Sequence, residues 1–274
     1  MGSPHALKGG HSLNDKVNSI HHDVGKRRPK KTRLITSPIL LAAAAYVGIN
    51  KYRQAKKLNK YMEKARTNTK HIRRVLILGD SVAKGYGSPN GGITNYLREH
   101  LESKFGEVNV ENEGIIHLTS EGLLQKLINE KLYDQQLQDS NLVFINIGGN
   151  DLLQHFHKDG ARAVLKNFFK VRSNYIKNLQ HIIEYIEAIN PAITIVVNNL
   201  YNSLEKDYQF FGLTGVLINY WNSSMNKLAI IRVNTKELGR KKDLWADMVH
   251  PNQEGYKELS DLIIKQVSNV LEEV

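Results

Sequence analysis

Val75-Leu76-Ile77-Leu78-Gly79-Asp80-Ser81 is a run of four apolar residues that ends in a glycine, an acid and a serine. An unbroken apolar run bounded by Gly reads as a strand buried on both faces, the habit of parallel sheets. A second such run, Leu142-Val143-Phe144-Ile145-Asn146-Ile147, leads into Gly148-Gly149-Asn150-Asp151. Both motifs stand where a strand gives way to a loop, and in open α/β sheets that edge is where ligands bind. Outward from these two anchors, strands are expected at 73–78, 108–111, 142–147, 193–197 and 230–233. Helices are expected at 92–105, 120–132, 162–189, 215–228 and 252–271, with Asn190-Pro191 as a strong stop. Strands that alternate with helices imply a parallel sheet covered on both faces.

Charge divides the chain more sharply than any linker. Residues 1–74 carry 18 Lys and Arg against Asp15, Asp23 and Glu63, whereas 75–274 carry 20 basic residues against 24 acidic ones. The net charge of +11 therefore belongs to an N-terminal appendage, and the remainder is mildly acidic. A nucleic-acid enzyme would place its positive charge around its site, so nucleic acid is excluded as a partner. The absence of cysteine removes disulfides and thiolate metal sites and leaves the compartment open. The boundary falls near His71, giving a disordered basic tail over 1–33, an apolar and then basic segment over 34–71, and a main domain over 72–274.

The middle segment points to a membrane. Residues 34–49 lack charge, but as a helix they would span about 24 Å, short of a hydrocarbon core of about 30 Å. Three readings compete: a signal peptide with Ala43-Ala44-Ala45 near its cleavage site, a short anchor with snorkelling flanks, and a buried soluble helix. From Lys51 to Lys70 the chain is rich in Lys and Arg, with Ala55, Leu58, Met62 and Ala65 at helical spacing. A basic amphipathic helix of that kind suits anionic headgroups, so residues 34–70 are expected to meet a membrane surface. The chain is expected to be membrane-anchored or secreted, at the extracytoplasmic face of a bacterial cell.

Three motifs supply chemistry. Ser81 lies just past the first strand, and a serine hydroxyl needs a base to take its proton. His250 is the candidate base. Asp247 precedes it by three residues, a spacing that lets the carboxylate reach Nδ1 on one tight turn, and Pro251 biases His250 towards extended backbone. Asn150 offers a side-chain amide to an oxyanion, and Gly148-Gly149 lets the backbone turn sharply towards a substrate. Gly79-Asp80-Ser81-Val82-Ala83 is not the G-x-S-x-G elbow, because Ala83 stands where a glycine is needed. His155 and His157 invite a metal, but no third ligand stands at a recognisable spacing, so no metal is expected.

On these residues the region from Val75 to the C-terminus resembles the SGNH (GDSL-type) hydrolases, which include esterases, lipases, lysophospholipases and carbohydrate O-deacetylases. The resemblance implies a three-layer α/β/α fold with a flavodoxin-like five-stranded parallel sheet. It implies Ser81 as nucleophile, Asp247 and His250 as its partners, and Asn150 with the Ser81 N–H as oxyanion donors. The family's second block places a glycine five residues after an asparagine; here Asn112 is followed at that distance by His117. The third donor is thus the His117 N–H, with Gly114 as the alternative if the position demands φ > 0. Asp80, Gly149, Tyr201 and Asn202 are expected to line the substrate cleft, and 208–217 to form an apolar flap or an ordinary packed helix. A serine esterase without cofactor follows, acting on a lipid-like ester. The alternatives are an O-acetyl esterase of cell-wall or other polysaccharide, and a non-catalytic membrane-tethered binding domain.

Overall fold

Five strands, β1 (Arg74–Gly79), β2 (Asn109–Gly114), β3 (Leu142–Asn146), β4 (Thr194–Asn198) and β5 (Ile231–Val233), pair in parallel in the order β2-β1-β3-β4-β5. The computed structural model describes residues 38–68, 71–240 and 243–272, so the tail expected over 1–33 and the start of the apolar run lie outside the described residues. The helices are α1 (Pro38–Asn68), α2 (Ser81–Lys84), α3 (Ile93–Phe105), α4 (Ser120–Ile128), α5 (Asp134–Asp139), α6 (Gly149–Ile189), α7 (Phe211–Asn222) and α8 (Gln253–Glu272). Successive strand residues face opposite sides of a sheet. Val75, Ile77, Phe144 and Val196 therefore meet Leu97 of α3, Leu259 and Ile263 of α8, and the end of α1. Leu76, Leu78, Val143 and Ile145 meet Leu123 of α4, Leu137 of α5, Leu179 of α6 and Trp221 of α7. This is the expected three-layer α/β/α arrangement, and its strand order reverses between β1 and β3, where an open sheet makes its binding crevice.

Several boundaries differ from the expectation, each for a local reason. β2 runs on to Gly114 through Glu111-Asn112-Glu113, because pairing with β1 holds a polar sequence on a half-covered edge. α4 stops at Ile128 and a separate α5 follows, with Lys131 at φ 51° interrupting them. α6 begins at Gly149, well ahead of the expected 162, and α7 lies four residues earlier at its start, with a 3₁₀ turn over Ser223–Lys227 after it. α2 is absent from the sequence reading, because one turn of helix leaves no periodicity to see.

The compact body starts upstream of the charge boundary at His71, at Val47. Within the described residues the apolar and basic segments are one continuous helix, α1, and only the second half of the expected stripe of Ala55, Leu58, Met62 and Ala65 packs, with Met62 lying against the core. Ala55 is exposed and Leu58 is 37% exposed, whereas Tyr61 and Ala65 are buried in the core. The cause is an unfilled ladder. β5 first pairs at Ile231 with Val196, leaving Ile195 without a strand partner on that side. The Tyr61 hydroxyl stands in for the missing strand, donating to the Ile195 carbonyl at 3.1 Å and accepting its N–H at 2.7 Å. Burial pushes this phenol above its ordinary range, so it keeps its proton.

Tyr61→Phe removes both contacts from a buried backbone pair, and we expect a loss of about 1–3 kcal/mol in urea unfolding. A protein beginning at residue 72 should unfold at lower urea than one beginning at residue 47; equal midpoints would show that α1 contributes nothing.

Candidate active site

The turn that carries Ser81 is built by a close approach of two strands. Gly79 has φ 138°, and a Cβ there would lie 1.9 Å from the Asn146 carbonyl oxygen, so only glycine lets β1 end against β3. Asp80 N–H then donates to that same carbonyl at 2.9 Å. The Asp80 carboxylate caps α2, with Oδ1 accepting from Val82 N–H at 3.0 Å and from Asn146 Nδ2 at 2.9 Å. Asn146 Oδ1 in turn accepts from Asn198 Nδ2 at 2.8 Å, so a polar relay ties the tips of β1, β3 and β4 together. Burial pushes the Asp80 carboxyl up to about 6 despite these hydrogen bonds. Asp80 was expected in the substrate cleft; it is instead buried beneath the nucleophile turn, because a helix cap must point back at its own N–H groups.

His250 reaches Ser81 from the far end of the chain. Its Nε2 lies 2.9 Å from Ser81 Oγ, and its Nδ1 lies 2.8 Å from Asp247 Oδ2. Asp247 Oδ1 accepts the backbone N–H of Val249 and of His250, each at 2.8 Å, so one carboxylate shapes the turn and orients the ring. Burial works against the Asp247 charge, but the hydrogen bonds from His250 and Val249 outweigh it and hold the carboxyl below its ordinary range. The loop is gripped from outside: Tyr201 Oη donates to the Val249 carbonyl at 3.0 Å, and Ser203 Oγ to that of Met248 at 2.5 Å. Tyr86 lays its ring 4.6 Å from the imidazole, between centroids. Gly87, at φ 92°, brings that turn in, since a Cβ there would sit 2.9 Å from the Pro251 carbonyl oxygen.

The candidate oxyanion donors meet the same sheet edge. Ser81 is the first residue of α2, and Asn150 is the second residue of α6. Asn150 Nδ2 gives one hydrogen to the Leu118 carbonyl at 3.0 Å, leaving its second hydrogen to offer and setting the amide against the turn that holds His117. His117 takes φ 64°, the left-handed conformation that favours glycine, yet it stays in register. Gly114 is not an available alternative. Its N–H is held by Asn112 Oδ1 at 2.9 Å, and a Cβ there would meet Lys84 N at 2.3 Å. The loop was expected to shift register if a positive φ were needed; the cost of one strained residue is evidently smaller than that of losing the α2 contact.

Of the other expected residues, Gly149 opens α6 beside Asp80, while Tyr201 and Asn202 serve other contacts. Asn202 Nδ2 donates to the Phe211 carbonyl at 3.0 Å, tying the start of α7 to the end of β4. Both residues line a neighbouring groove. The side chains of His155 and His157 lie outside the described residues, and among the described residues no three His, Asp or Glu converge as a metal site. Asn146, Asn198 and Tyr86 carry no expectation of a place at the site from the sequence. Asn146 and Asn198 each end an apolar strand run with an amide, the only signal they leave.

The arrangement can take a proton from Ser81 through His250 and present N–H groups to a developing negative charge. The family model described as "GDSL-like Lipase/Acylhydrolase family" matches residues 77–258, two thirds of the chain. This chain belongs to the GDSL-like lipase/acylhydrolase family. It is accordingly a serine ester hydrolase. An uncharacterized protein of Bacillus subtilis (strain 168), YpmR, is 27% identical over 187 residues, covering 67% of this chain and 69% of that protein. Among solved structures, the lipase Lip_vut3 from a goat rumen metagenome is 25% identical with a TM-score of 0.62, covering 71% of this chain and 97% of its own. The acetylxylan esterase Axe2 of Geobacillus stearothermophilus, 17% identical with a TM-score of 0.53, covers 71% of this chain and 94% of its own and shares the fold.

The raised Asp80 carboxyl makes a pH signature. Between its ordinary value and about 6 the unfolded chain has released this proton while the folded hydrolase still holds it, so stability falls as pH rises through that window. Asp80→Asn should flatten the dependence of the urea midpoint on pH between about 4 and 6. An unchanged slope would mean that Asp80 ionises normally in the fold.

Proposed function

We propose that this esterase cleaves carboxylic esters through an acyl-serine intermediate on Ser81, and that its substrates are lipid-like, of the lysophospholipid or acylglycerol type. The observation that carries the mechanism is the pair of contacts at one imidazole, Ser81 Oγ at 2.9 Å from Nε2 and Asp247 Oδ2 at 2.8 Å from Nδ1. His250 takes the serine proton as Ser81 Oγ attacks the ester carbon, and Asp247 stabilises the imidazolium. His250 then gives the proton to the leaving alcohol, and water attacks the acyl-serine by the same route in reverse. Ser81 N–H, Asn150 Nδ2 and His117 N–H hold the oxyanion.

The lipid reading is supported by α7. Phe210 at its cap and Leu213, Val216 and Tyr220 along it stay exposed, and Leu165 and Phe169 of α6 are exposed as well. A patch of this kind marks an apolar partner, and a lipase is among the similar solved structures. The exposed part of α1 supports a membrane surface as the place of work. It carries Lys51, Arg53, Lys56, Lys57 and Lys60 together with exposed Val47, Ile49 and Tyr52. Among the described residues no helix is long and apolar enough to cross a membrane, so we propose that α1 lies on anionic lipid at the extracytoplasmic face.

A fluorophosphonate probe should label wild-type protein at Ser81 and leave Ser81→Ala unlabelled, with ester hydrolysis reduced at least about 10³-fold. Labelling that persists in Ser81→Ala would remove Ser81 from the mechanism. Long-chain lysophospholipids should exceed acetylated xylo-oligosaccharides in kcat/KM; the reverse order would establish the polysaccharide O-acetyl esterase instead. His117→Gly keeps the N–H and relieves the positive φ, so we expect activity within about threefold of wild type and stability raised by up to about 1 kcal/mol. A loss of activity there would show that the imidazole itself takes part. Full-length protein should pellet with phosphatidylglycerol vesicles at low salt and be released by 1 M NaCl.

A further inference from the structure

Beside the catalytic edge, between α7 and the edge strand β5, lies a groove of about 420 Å³. Its floor is the stretch Asn199–Asn202 that follows β4, and its walls include Gly215, Asn219 and Asn222 of α7 and Arg232 of β5. Two cations, Arg232 and Lys236, line it, and no carboxylate does. A half-buried guanidinium is ordinarily held by an acid, because taking an unpaired charge out of water is costly. Among the described residues Arg232 has only a neutral partner, Asn226 Oδ1, to which Nη1 donates. Burial holds this guanidinium below its ordinary range, which again marks a charge short of a counter-ion. Lys236 likewise forms no ion pair among the described residues.

The rest of the lining mixes apolar side chains, Leu200, Phe211 and Ile218, with amides, some of which have hydrogens to spare. The Asn219 side chain makes no hydrogen bond among the described residues, and Asn199, 8% exposed, leaves its amide hydrogens unspent there, while its buried Oδ1, an acceptor, also has no partner. Asn234 uses only its Oδ1, which accepts the Lys236 N–H at 3.2 Å, so its amide hydrogens are unspent. By contrast Asn222 and Asn202 each use both the oxygen and the nitrogen of the amide in structure. A planar guanidinium, a mobile ammonium and several amide N–H groups, with no acid among them, form a donor set for a tetrahedral oxyanion.

We propose that this groove binds a phosphate group, supplied by the headgroup of a lysophospholipid-type substrate. The headgroup assignment rests on the lipid-ester reading above; the phosphate site does not. Two features tie the groove to the reaction. Tyr201, on its floor, is the residue whose hydroxyl holds the Val249 carbonyl in the His250 loop. The helix that roofs it, α7, also bears the exposed Leu213, Val216 and Tyr220, so apolar and anion-binding surfaces share one element. A phosphorylated alcohol in the groove would position the ester it carries at the adjacent serine, and a neutral alcohol would lack that grip.

The test has two arms on the full chain. Calorimetric titration of Ser81→Ala protein with inorganic phosphate, glycerol 3-phosphate and glycerol should show binding of both phosphates and none of glycerol. Arg232→Gln should weaken phosphate binding at least tenfold and Lys236→Gln by severalfold, with both variants melting within a few degrees of the parent. No phosphate binding by the parent, or equal binding by parent and both variants, overturns the site, whatever esters the enzyme cleaves. In the second arm, kcat/KM is compared for lysophosphatidylglycerol and a monoacylglycerol of the same chain length. The phosphate-ester preference should fall at least tenfold in Arg232→Gln. Phosphate binding that is lost in the variant while this ratio holds steady overturns the headgroup assignment and makes free phosphate the occupant. Hydrolysis of neither lipid, alongside retained phosphate binding, would sink the lipid-ester reading and leave the site standing.

Discussion

The hydrogen bond from Asn146 Nδ2 to Asp80 Oδ1, 2.9 Å long, joins β1 and β3 at the one place where the strand order of the sheet reverses. Much else is arranged around it. It steadies the carboxylate that caps α2, and that cap fixes where Ser81 leaves the strand. The same asparagine receives Asp80 N–H on its backbone carbonyl and is itself steadied by Asn198. The relay ends at Asn198, whose buried Oδ1 has no partner among the described residues, but the groups up to that point are paired and hold one another in place. The nucleophile is therefore held by the sheet, at the expense of a buried acid whose proton affinity has been raised.

The base is held by a different principle. His250 sits on a loop 169 residues away in sequence from Ser81, whose backbone is tied by a single antiparallel bridge between Trp245 and Pro251, with Ala246 N–H donating to the His250 carbonyl at 2.8 Å, rather than by a strand ladder. Its position is set by hydroxyl groups that seize backbone carbonyls, from Tyr201 and Ser203, and by an Asp247 carboxylate that spends one oxygen on the backbone and the other on the ring. One half of the site is thus built from repetitive structure and the other from side chains that replace it. Tyr61 is a further instance of that replacement, at the other end of β4, where a phenol takes the place of a strand that stops too soon.

This division explains what the sequence made legible. Apolar runs such as 75–78 and 142–145 announce buried strands, and the glycine that follows each announces the turn, so the sheet and the placement of Ser81 and Asn150 could be read directly. Asp247 and His250 were readable because three residues separate them. The Asp80–Asn146–Asn198 relay was not, since its members are 66 and 52 residues apart and each alone looks like an ordinary turn residue. Gly114 looked like a spare donor because sequence shows a glycine's freedom but not the Lys84 backbone packed against it. The packed face of α1 was half legible for a related reason. Helical spacing marks Met62 and Ala65, which pack, but not Tyr61, which fills the gap beside Ile195.

Only the last two turns of α1 enter the core; from Val47 to Lys60 its side chains stand clear of it or nearly so. The stretch from Val47 to Lys60 therefore contributes little packing energy to the catalytic body. A protease that cut among those lysines and arginines would leave the packed core in place. By the same reasoning, a different sequence placed over 47–60 would leave the same chemistry in place.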